Sequence, residues 1–359
     1  MTRVRAAYME WAKARPRPAI DLAGSNLAPC SLSDLPGARE AVDLAGESPD
    51  GYPPLLEAIA GRHGVTPDRV ATAGGCSGAN FFACAALLEP GDEVLVETPN
   101  YDPLPAAARL LGASVRTFER RFEDGYELDV GAIDAALTPK TRLVLVSNPH
   151  NPSGTVARAE NLRALGELAA ARGVHVLVDE VYRDVVLEGR PVPAAALAPT
   201  FISSSSLTKA YGLASLRCGW TLASEELTRR IRRVRDLVDV WAPIPSDRLA
   251  VVAFQNLDAL AARARAIVEA NLTAVRAWLA ERSELECVEP RATLAFPRLR
   301  GVAEADAFVS GLFARTGTAV APGRFFERPA HFRIAFGGPP DRVAAGLASI
   351  SAYLDAGPA

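Results

Sequence analysis

Residues 203–220, SSSSLTKAYGLASLRCGW, place one lysine, Lys209, after four serines and a threonine, with an arginine, Arg217, eight residues beyond it. A lysine amine becomes a nucleophile when it is partly desolvated or set near another cation. Hydroxyls and a guanidinium beside it suit an anionic group such as a phosphate. The stretch therefore predicts a Schiff-base lysine next to a phosphate held by Ser206, Thr208 and Arg217. A serine-rich loop followed by a helix with ordinary surface charges would account for the same composition.

Further groups of this kind recur along the chain. In Gly75-Cys76-Ser77-Gly78 the glycines allow close backbone approach, and the N–H groups opening a helix form an anion site; a plain strand-to-helix turn is the alternative. Tyr101 follows Pro99 and either stacks on an aromatic ligand or packs a loop. Asn151 lies in NPHNPSG at 148–154, where two prolines and a glycine fix an irregular loop around an amide, as either a site or a tight turn. Asp179 ends the apolar run VHVLV, and a carboxylate at that depth needs a cationic partner, whether a protonated pyridine nitrogen or an arginine. In the first case Tyr182, three residues on, reaches a phenolic oxygen of the same ring, while Glu180 points to the opposite face by strand alternation. Arg333, in HFRIAF at 331–336, wants a carboxylate that its fork takes bidentately. A substrate carboxylate and an internal ion pair both fit. Tyr8, Trp11 and Leu32 belong either to an apolar pocket or to the core.

These groups need elements to hold them. Short apolar, β-branched runs at 70–72, 93–97, 114–118, 142–146, 174–178 and 200–203 alternate with helical stretches at 77–88, 105–111, 129–137 and 159–172. That alternation predicts an α/β architecture with a mostly parallel central sheet sandwiched by helices. Ligands of such sheets sit at the carboxyl ends of the strands, where most of these motifs fall. The remainder is more helical. An Arg-rich helix at 225–240 reads as a solvated face, and 246–279 as one or two long helices. Short strands at 20–22, 294–296, 319–320 and 331–336 join helices at 304–316 and 342–354 in a smaller α+β unit. Its N-terminal part opens with an amphipathic helix over 3–15; residues 32–49 read as connection with one weak helix, and a helix opens at 53. The expected division is 45–240 for the large domain, with 1–44 and 241–359 forming the small one.

The 359 residues carry 39 basic and 42 acidic side chains, 39 − 42 = −3, which argues against a sequence-independent nucleic-acid binder. No apolar run reaches transmembrane length, and the N-terminus has no signal-peptide stretch. The five scattered cysteines read as buried thiols of a reducing, cytoplasmic compartment, and the four histidines have no ligand spacing, so a metal site is not expected.

Taken together, S-L-T-K at 206–209 with Arg217, N-P-H-N-P-S-G at 148–154, D-E-V-Y at 179–182 and the late Arg333 resemble the fold-type-I pyridoxal-phosphate enzymes, specifically the class I/II aminotransferase family, over nearly the whole chain. The resemblance implies pyridoxal 5′-phosphate as cofactor, carried on Lys209 as an internal aldimine. It implies Asp179 on the pyridinium nitrogen, Tyr182 and Asn151 on the ring oxygen, and Tyr101 on the ring face. Cys76 and Ser77, largely through backbone, would hold the phosphate with Ser206 and Arg217. Arg333 and Asn151, helped by the backbone near Gly24, would bind the substrate α-carboxylate. The implied activity moves an amino group between an L-amino acid and a 2-oxo acid in a homodimer, with Lys209, Asp179 and Tyr182 as the catalytic set.

The chain departs from the family at some positions. Gly46 replaces the tyrosine that reaches the partner subunit's phosphate, with Tyr52 nearby; Leu56 replaces a usual arginine, and Arg291-Ala292-Thr293 a glycine pair. The tail segments PRATLAFPRL, APGRFF and FRIAFGGPP are also similar to the capreomycidine synthases, relatives that cyclise a hydroxylated arginine but depart from D-E-V-Y. Elimination, cyclisation or decarboxylation of a modified amino acid is thus the alternative expectation. A ligand sensor fused to a DNA-binding domain is disfavoured, because about twenty residues precede the first strand.

Overall fold

The computed structural model describes residues 4–357. Seven strands form one sheet in the spatial order Val70–Gly74, Cys218–Leu222, Phe201–Ser206, His175–Asp179, Thr141–Ser147, Glu93–Thr98 and Ser114–Glu119. Neighbours pair in parallel except at Cys218–Leu222, which runs against both of its neighbours. The sequence reading assigned no strand here. It also ended the preceding strand at 203, whereas the serines through Ser206 stay in the ladder opposite Cys218–Leu222.

Successive side chains of a strand face opposite sides of the sheet, and here both sides are apolar. Val94, Val96, Leu143, Leu145, Leu177 and Ile202 enter one core, closed by Phe82 of the helix Cys76–Leu87 and Ile231 of the helix Glu225–Val238. Leu95, Val144, Val146, Val176, Val178 and Phe201 enter the other, closed by Leu162 and Leu165 of the helix Ala159–Arg172. Each such burial contributes about 1.5–3 kcal/mol. The helix Glu225–Val238 is not the solvated element expected. Its apolar stripe packs on the sheet, and Arg235 is 1% exposed, donating to the Pro49 carbonyl (2.9 Å) and Thr72 Oγ1 (3.3 Å).

The smaller subdomain carries an antiparallel trio, Leu294–Ala295, Phe332–Ala335 and Ala321–Pro322, under the helices Leu257–Ala280, Asp306–Thr316 and Pro340–Asp355. The long helical stretch breaks at Asn256, which separates Ile244–Gln255 from Leu257–Ala280. The N-terminal helix forms at Ala7–Ala14; Arg3, the first residue of the expected helix, lies outside the described residues. After it, Ile20–Asp21 pairs in parallel with Thr318–Ala319, which ties the first residues of the chain to its last third.

Behind the strand ends lies a fully buried ion pair. Arg120 and Glu97 meet at 2.8 Å with neither side chain exposed. The other oxygen of Glu97 accepts from Ser147 N and Oγ, both at 2.6 Å, and Arg120 Nε donates to the Tyr126 carbonyl at 2.6 Å. Ser147 Oγ in turn accepts from Asn151 N at 3.0 Å, so the pair anchors the loop that carries Asn151. Removing one member of a buried pair leaves the other charge uncompensated. Arg120→Met is expected to destabilise the protein by about 3–5 kcal/mol in urea unfolding, with part of the loss recovered by Glu97→Gln in the same chain.

Candidate active site

The carboxyl ends of the parallel strands surround a cavity of about 220 Å³. Phe201–Ser206 delivers the lysine. Ser206 caps the short helix Leu207–Tyr211, its hydroxyl accepting from Thr208 N at 3.3 Å, and Lys209 stands one turn in. Lys209 Nζ donates to Ser25 Oγ at 3.0 Å and Asn26 Oδ1 at 2.7 Å. Burial pulls its pKa down to about 8, reinforced by the charges of Arg333 and Arg217 and opposed by Asp179. It can therefore serve as a neutral amine near neutral pH, which an ordinary lysine does not.

Asp179 ends its strand in register with Ser147 on one side and Ser204 on the other. It is 7% exposed and accepts from Asn80 Nδ2 at 2.9 Å and Val181 N at 3.2 Å. Burial raises its pKa despite those bonds, and it makes no ion pair within 4 Å among the described residues. Glu180 turns away, accepting from Ala194 N at 2.7 Å; burial raises its pKa to about 7. Tyr182 is buried, and burial pushes its hydroxyl up to about 12.

Beyond the lysine lies a cradle for an anion. Gly75, at φ 82°, caps the helix Cys76–Leu87, and Arg217, itself left-handed at φ 50°, folds back to donate to the Gly74 carbonyl at 3.0 Å. A Cβ on Gly75 would lie 2.2 Å from the Arg217 guanidinium, and one on Gly219 would lie 2.2 Å from the Gly75 carbonyl carbon. Only glycines let turn, strand and guanidinium stack this closely. Ser77, Ser206, Thr208 and Arg217 line the cavity together with the helix N-terminus, a combination that favours a phosphate or carboxylate. Cys76 also lines it, but burial holds its thiol well above the usual range, so it stays protonated.

Arg333 lies behind the cavity wall with no exposed surface. Nη1 donates to Asn151 Oδ1 at 2.9 Å; Nη2 donates to Tyr8 Oη at 2.7 Å and to the Ala23 carbonyl at 2.9 Å; Nε has no partner among the described residues. Among the described residues no carboxylate pairs with it within 4 Å, so the internal ion pair considered from sequence does not form. Asn151 sits in a braced loop: His150 Nε2 donates to the Pro99 carbonyl at 2.9 Å, which leaves Nδ1 to accept from Ser153 Oγ at 2.7 Å. The bond to the Pro99 carbonyl joins the Asn151 loop to the one carrying Tyr101, whose hydroxyl donates to Met9 Sδ at 3.4 Å.

Of the residues read from sequence, Cys76, Ser77, Tyr101, Asn151, Asp179, Tyr182, Ser206, Thr208, Lys209 and Arg217 all line this one cavity. Gly24 is exposed and its N–H is taken by Asp21 Oδ1 at 3.0 Å; the neighbouring Ala23 carbonyl is what meets Arg333. Leu32 is 41% exposed, Leu56 is core, and Tyr52 packs under Arg248 at 5.8 Å. Sequence reasoning missed Asn80, Ser25, Asn26 and the role of Tyr8. Asn80 had a signal, as a polar side chain one turn into the otherwise apolar helix CSGANFFACAAL. Ser25 and Asn26 had none, and Tyr8 was marked only as a pocket or core residue. Among the described residues no group of three or more His, Cys, Asp or Glu could hold a metal ion, and no helix is long and apolar enough to cross a membrane.

The family model described as aminotransferase class I and II matches residues 45–350. A capreomycidine synthase of Streptomyces vinaceus is 35% identical over 305 residues, covering 84% of this chain and 78% of that protein. The crystal structure of a pyridoxal-phosphate-dependent aminotransferase from Streptococcus suis superposes with a TM-score of 0.93 at 26% identity, covering 99% of both chains. That of a pyridoxal-phosphate-dependent cyclase, OrfR, superposes at 0.88 and 29% identity, covering 99% of this chain and 98% of the other.

The lowered pKa of Lys209 has a direct readout. In cofactor-free protein, modification of Lys209 by an amine-directed aryl sulfonate, followed by peptide mass spectrometry, is expected to rise with pH through a midpoint of about 8. A midpoint above about 10, that of an ordinary lysine, would contradict the burial argument.

Proposed function

This chain belongs to the class I and II aminotransferase family of fold-type-I pyridoxal-phosphate-dependent enzymes acting on amino acids, and within it we propose an aminotransferase that moves an amino group between an L-amino acid and a 2-oxo acid. The observation that carries this reading is the pairing of Lys209 with two unmatched buried charges, the carboxylate of Asp179 and the guanidinium of Arg333.

The residues present fit pyridoxal 5′-phosphate. Asp179 lacks a cation and would hold the protonated ring nitrogen. Tyr182 and the Asn151 amide would bond the ring oxygen, and Tyr101 would cover the ring face. The glycine cradle with Cys76, Ser77, Ser206, Thr208 and Arg217 would take the phosphate. When bound, the cofactor supplies an aldehyde carbonyl that condenses with amines and an electron-withdrawing ring.

The protein's own part is positioning and proton transfer. Arg333 and Asn151 would grip the α-carboxylate, which fixes the orientation of the Cα–H bond. Lys209 Nζ, with its lowered pKa, would take the Cα proton as a neutral base and then be the ammonium able to return one. Ser25 and Asn26 hold that nitrogen in the cavity until it is engaged. Tyr182, with its hydroxyl kept protonated by burial, would donate rather than accept. The same reading includes a cytoplasmic homodimer, in keeping with the scattered free cysteines and the family resemblance.

A second reading, in which the same site carries out elimination, cyclisation or decarboxylation of a modified amino acid, draws support from the similarity to the capreomycidine synthase and to the cyclase structure. Transamination is preferred because the lysine, the aspartate and the carboxylate-binding arginine are all in place and D-E-V-Y is intact.

Reconstitution with pyridoxal phosphate is expected to give a visible absorption band; borohydride should abolish it and leave the cofactor's mass on the Lys209 peptide. A panel of amino donors with a 2-oxo acid acceptor should yield the matching oxo acid, and Lys209→Ala should lower that turnover by about 10²–10⁴-fold or more. Cofactor trapped on Lys209 without any oxo acid from the panel would instead select the second reading.

A further inference from the structure

We propose that Tyr8, on the N-terminal helix Ala7–Ala14, is a positioning residue for recognition of the substrate carboxylate, acting through Arg333; this rests on the activity proposed above. Two observations carry it. The first is a closed set of bonds at one corner of the guanidinium. Arg333 Nη2 donates to Tyr8 Oη at 2.7 Å, Tyr8 Oη donates to the Ala23 carbonyl at 3.2 Å, and Arg333 Nη2 also donates to that carbonyl at 2.9 Å. Each bond restrains the other two.

The second is the packing of the guanidinium plane. Arg333 Cζ lies 5.1 Å from the Tyr8 ring centroid and 4.8 Å from that of Phe326, so it contacts two aromatic rings as well as the hydroxyl. A guanidinium buried without a carboxylate is costly. Here neutral oxygens and aromatic faces hold its charge, while Nε has no acceptor among the described residues. Tyr8 therefore keeps the charge oriented and unneutralised until a carboxylate arrives.

The helix is itself braced for this. Tyr8 is 6% exposed, its N–H donates to Asp102 Oδ2 at 3.3 Å, and its ring meets Tyr101 edge-on at 5.9 Å. Phe325 contacts the same ring at 6.1 Å. Tyr8 thus joins the arginine to the Tyr101 loop without lining the cavity itself. Its effect should fall on how tightly a carboxylate is held and much less on the proton transfer at Lys209.

The test uses the cofactor-loaded enzyme and two probes that cannot lose a Cα proton, 2-methylalanine and its methyl ester, the second of which lacks the free carboxylate. Dissociation constants are measured by calorimetry for wild type, Tyr8→Phe and Tyr8→Leu. Tyr8→Phe keeps the ring and removes the hydroxyl, so the dissociation constant of the acid should rise about tenfold, the scale of one hydrogen bond to a charged group, while that of the ester should change less than twofold. Tyr8→Leu removes the ring as well and should weaken the acid further. With a reactive amino donor, KM should rise in parallel and kcat should fall less than threefold. Equal weakening of acid and ester, or an unchanged acid affinity in Tyr8→Phe, overturns the role. A wild-type protein that takes up no cofactor overturns the underlying activity and this inference with it, and is read separately from the cofactor band.

Discussion

The site depends on a carboxylate that the fold forces out of water. Asp179 ends a strand whose preceding residues, Val176, Leu177 and Val178, are wholly buried, so its depth is set before its chemistry. An ionised carboxylate at such depth is expensive unless bonded or paired. Asn80 and the Val181 N–H supply two bonds, and the pKa is still raised. Lys209, nearby, is pushed the opposite way by the same burial. Each group is thus moved towards its neutral form. On the proposed reading, a cationic ring nitrogen at Asp179 supplies the charge the strand end lacks, and the lysine keeps an amine free to react.

The distribution of charge around the cavity extends this constraint. Lys209 and Arg217 line it and Arg333 lies just behind its wall, against the single acid Asp179. The positive excess contributes to the low pKa of Lys209, with Arg333 the larger of the two arginine effects. On the proposed reading, Arg217 serves a phosphate and Arg333 a carboxylate. Two anionic groups on one bound pair of molecules would neutralise the site from both ends, and the lysine pKa would rise as they did so.

Much of this was legible in the sequence, and the reasons differ by residue. Asp179, Asn151, Lys209 and the turn at Gly75 follow short apolar runs, and in a parallel sheet the end of such a run fixes where a side chain stands. The two-sided alternation of Val144, Leu145 and Val146 made the buried sheet readable as well. The strand Cys218–Leu222 was not, because its five residues end a stretch dominated by serines, a lysine and an arginine, and one of its two partners, Val70–Gly74, lies far away in the chain. Arg235 was misread as solvated because helical periodicity says which face is apolar, but not that a long arginine on its margin reaches the Pro49 carbonyl. The role of Asn80 was not legible because its partner, Asp179, lies 99 residues away on a strand.

The residues sequence could not supply share one property: they come from the first 26 residues and act across the whole chain. Ser25 and Asn26 reach Lys209 over separations of 184 and 183 residues, and Tyr8 reaches Arg333 over 325. No periodicity encodes such contacts; they follow from the pairing of Ile20–Asp21 with Thr318–Ala319, which brings the N-terminal segment alongside the late strand carrying Arg333. Contacts this distant form only once both the sheet and the smaller subdomain have closed. The lysine's resting partners and the arginine's restraint therefore belong to one segment. On the proposed reading, one N-terminal segment therefore supplies contacts both to the base and to the arginine that holds the carboxylate.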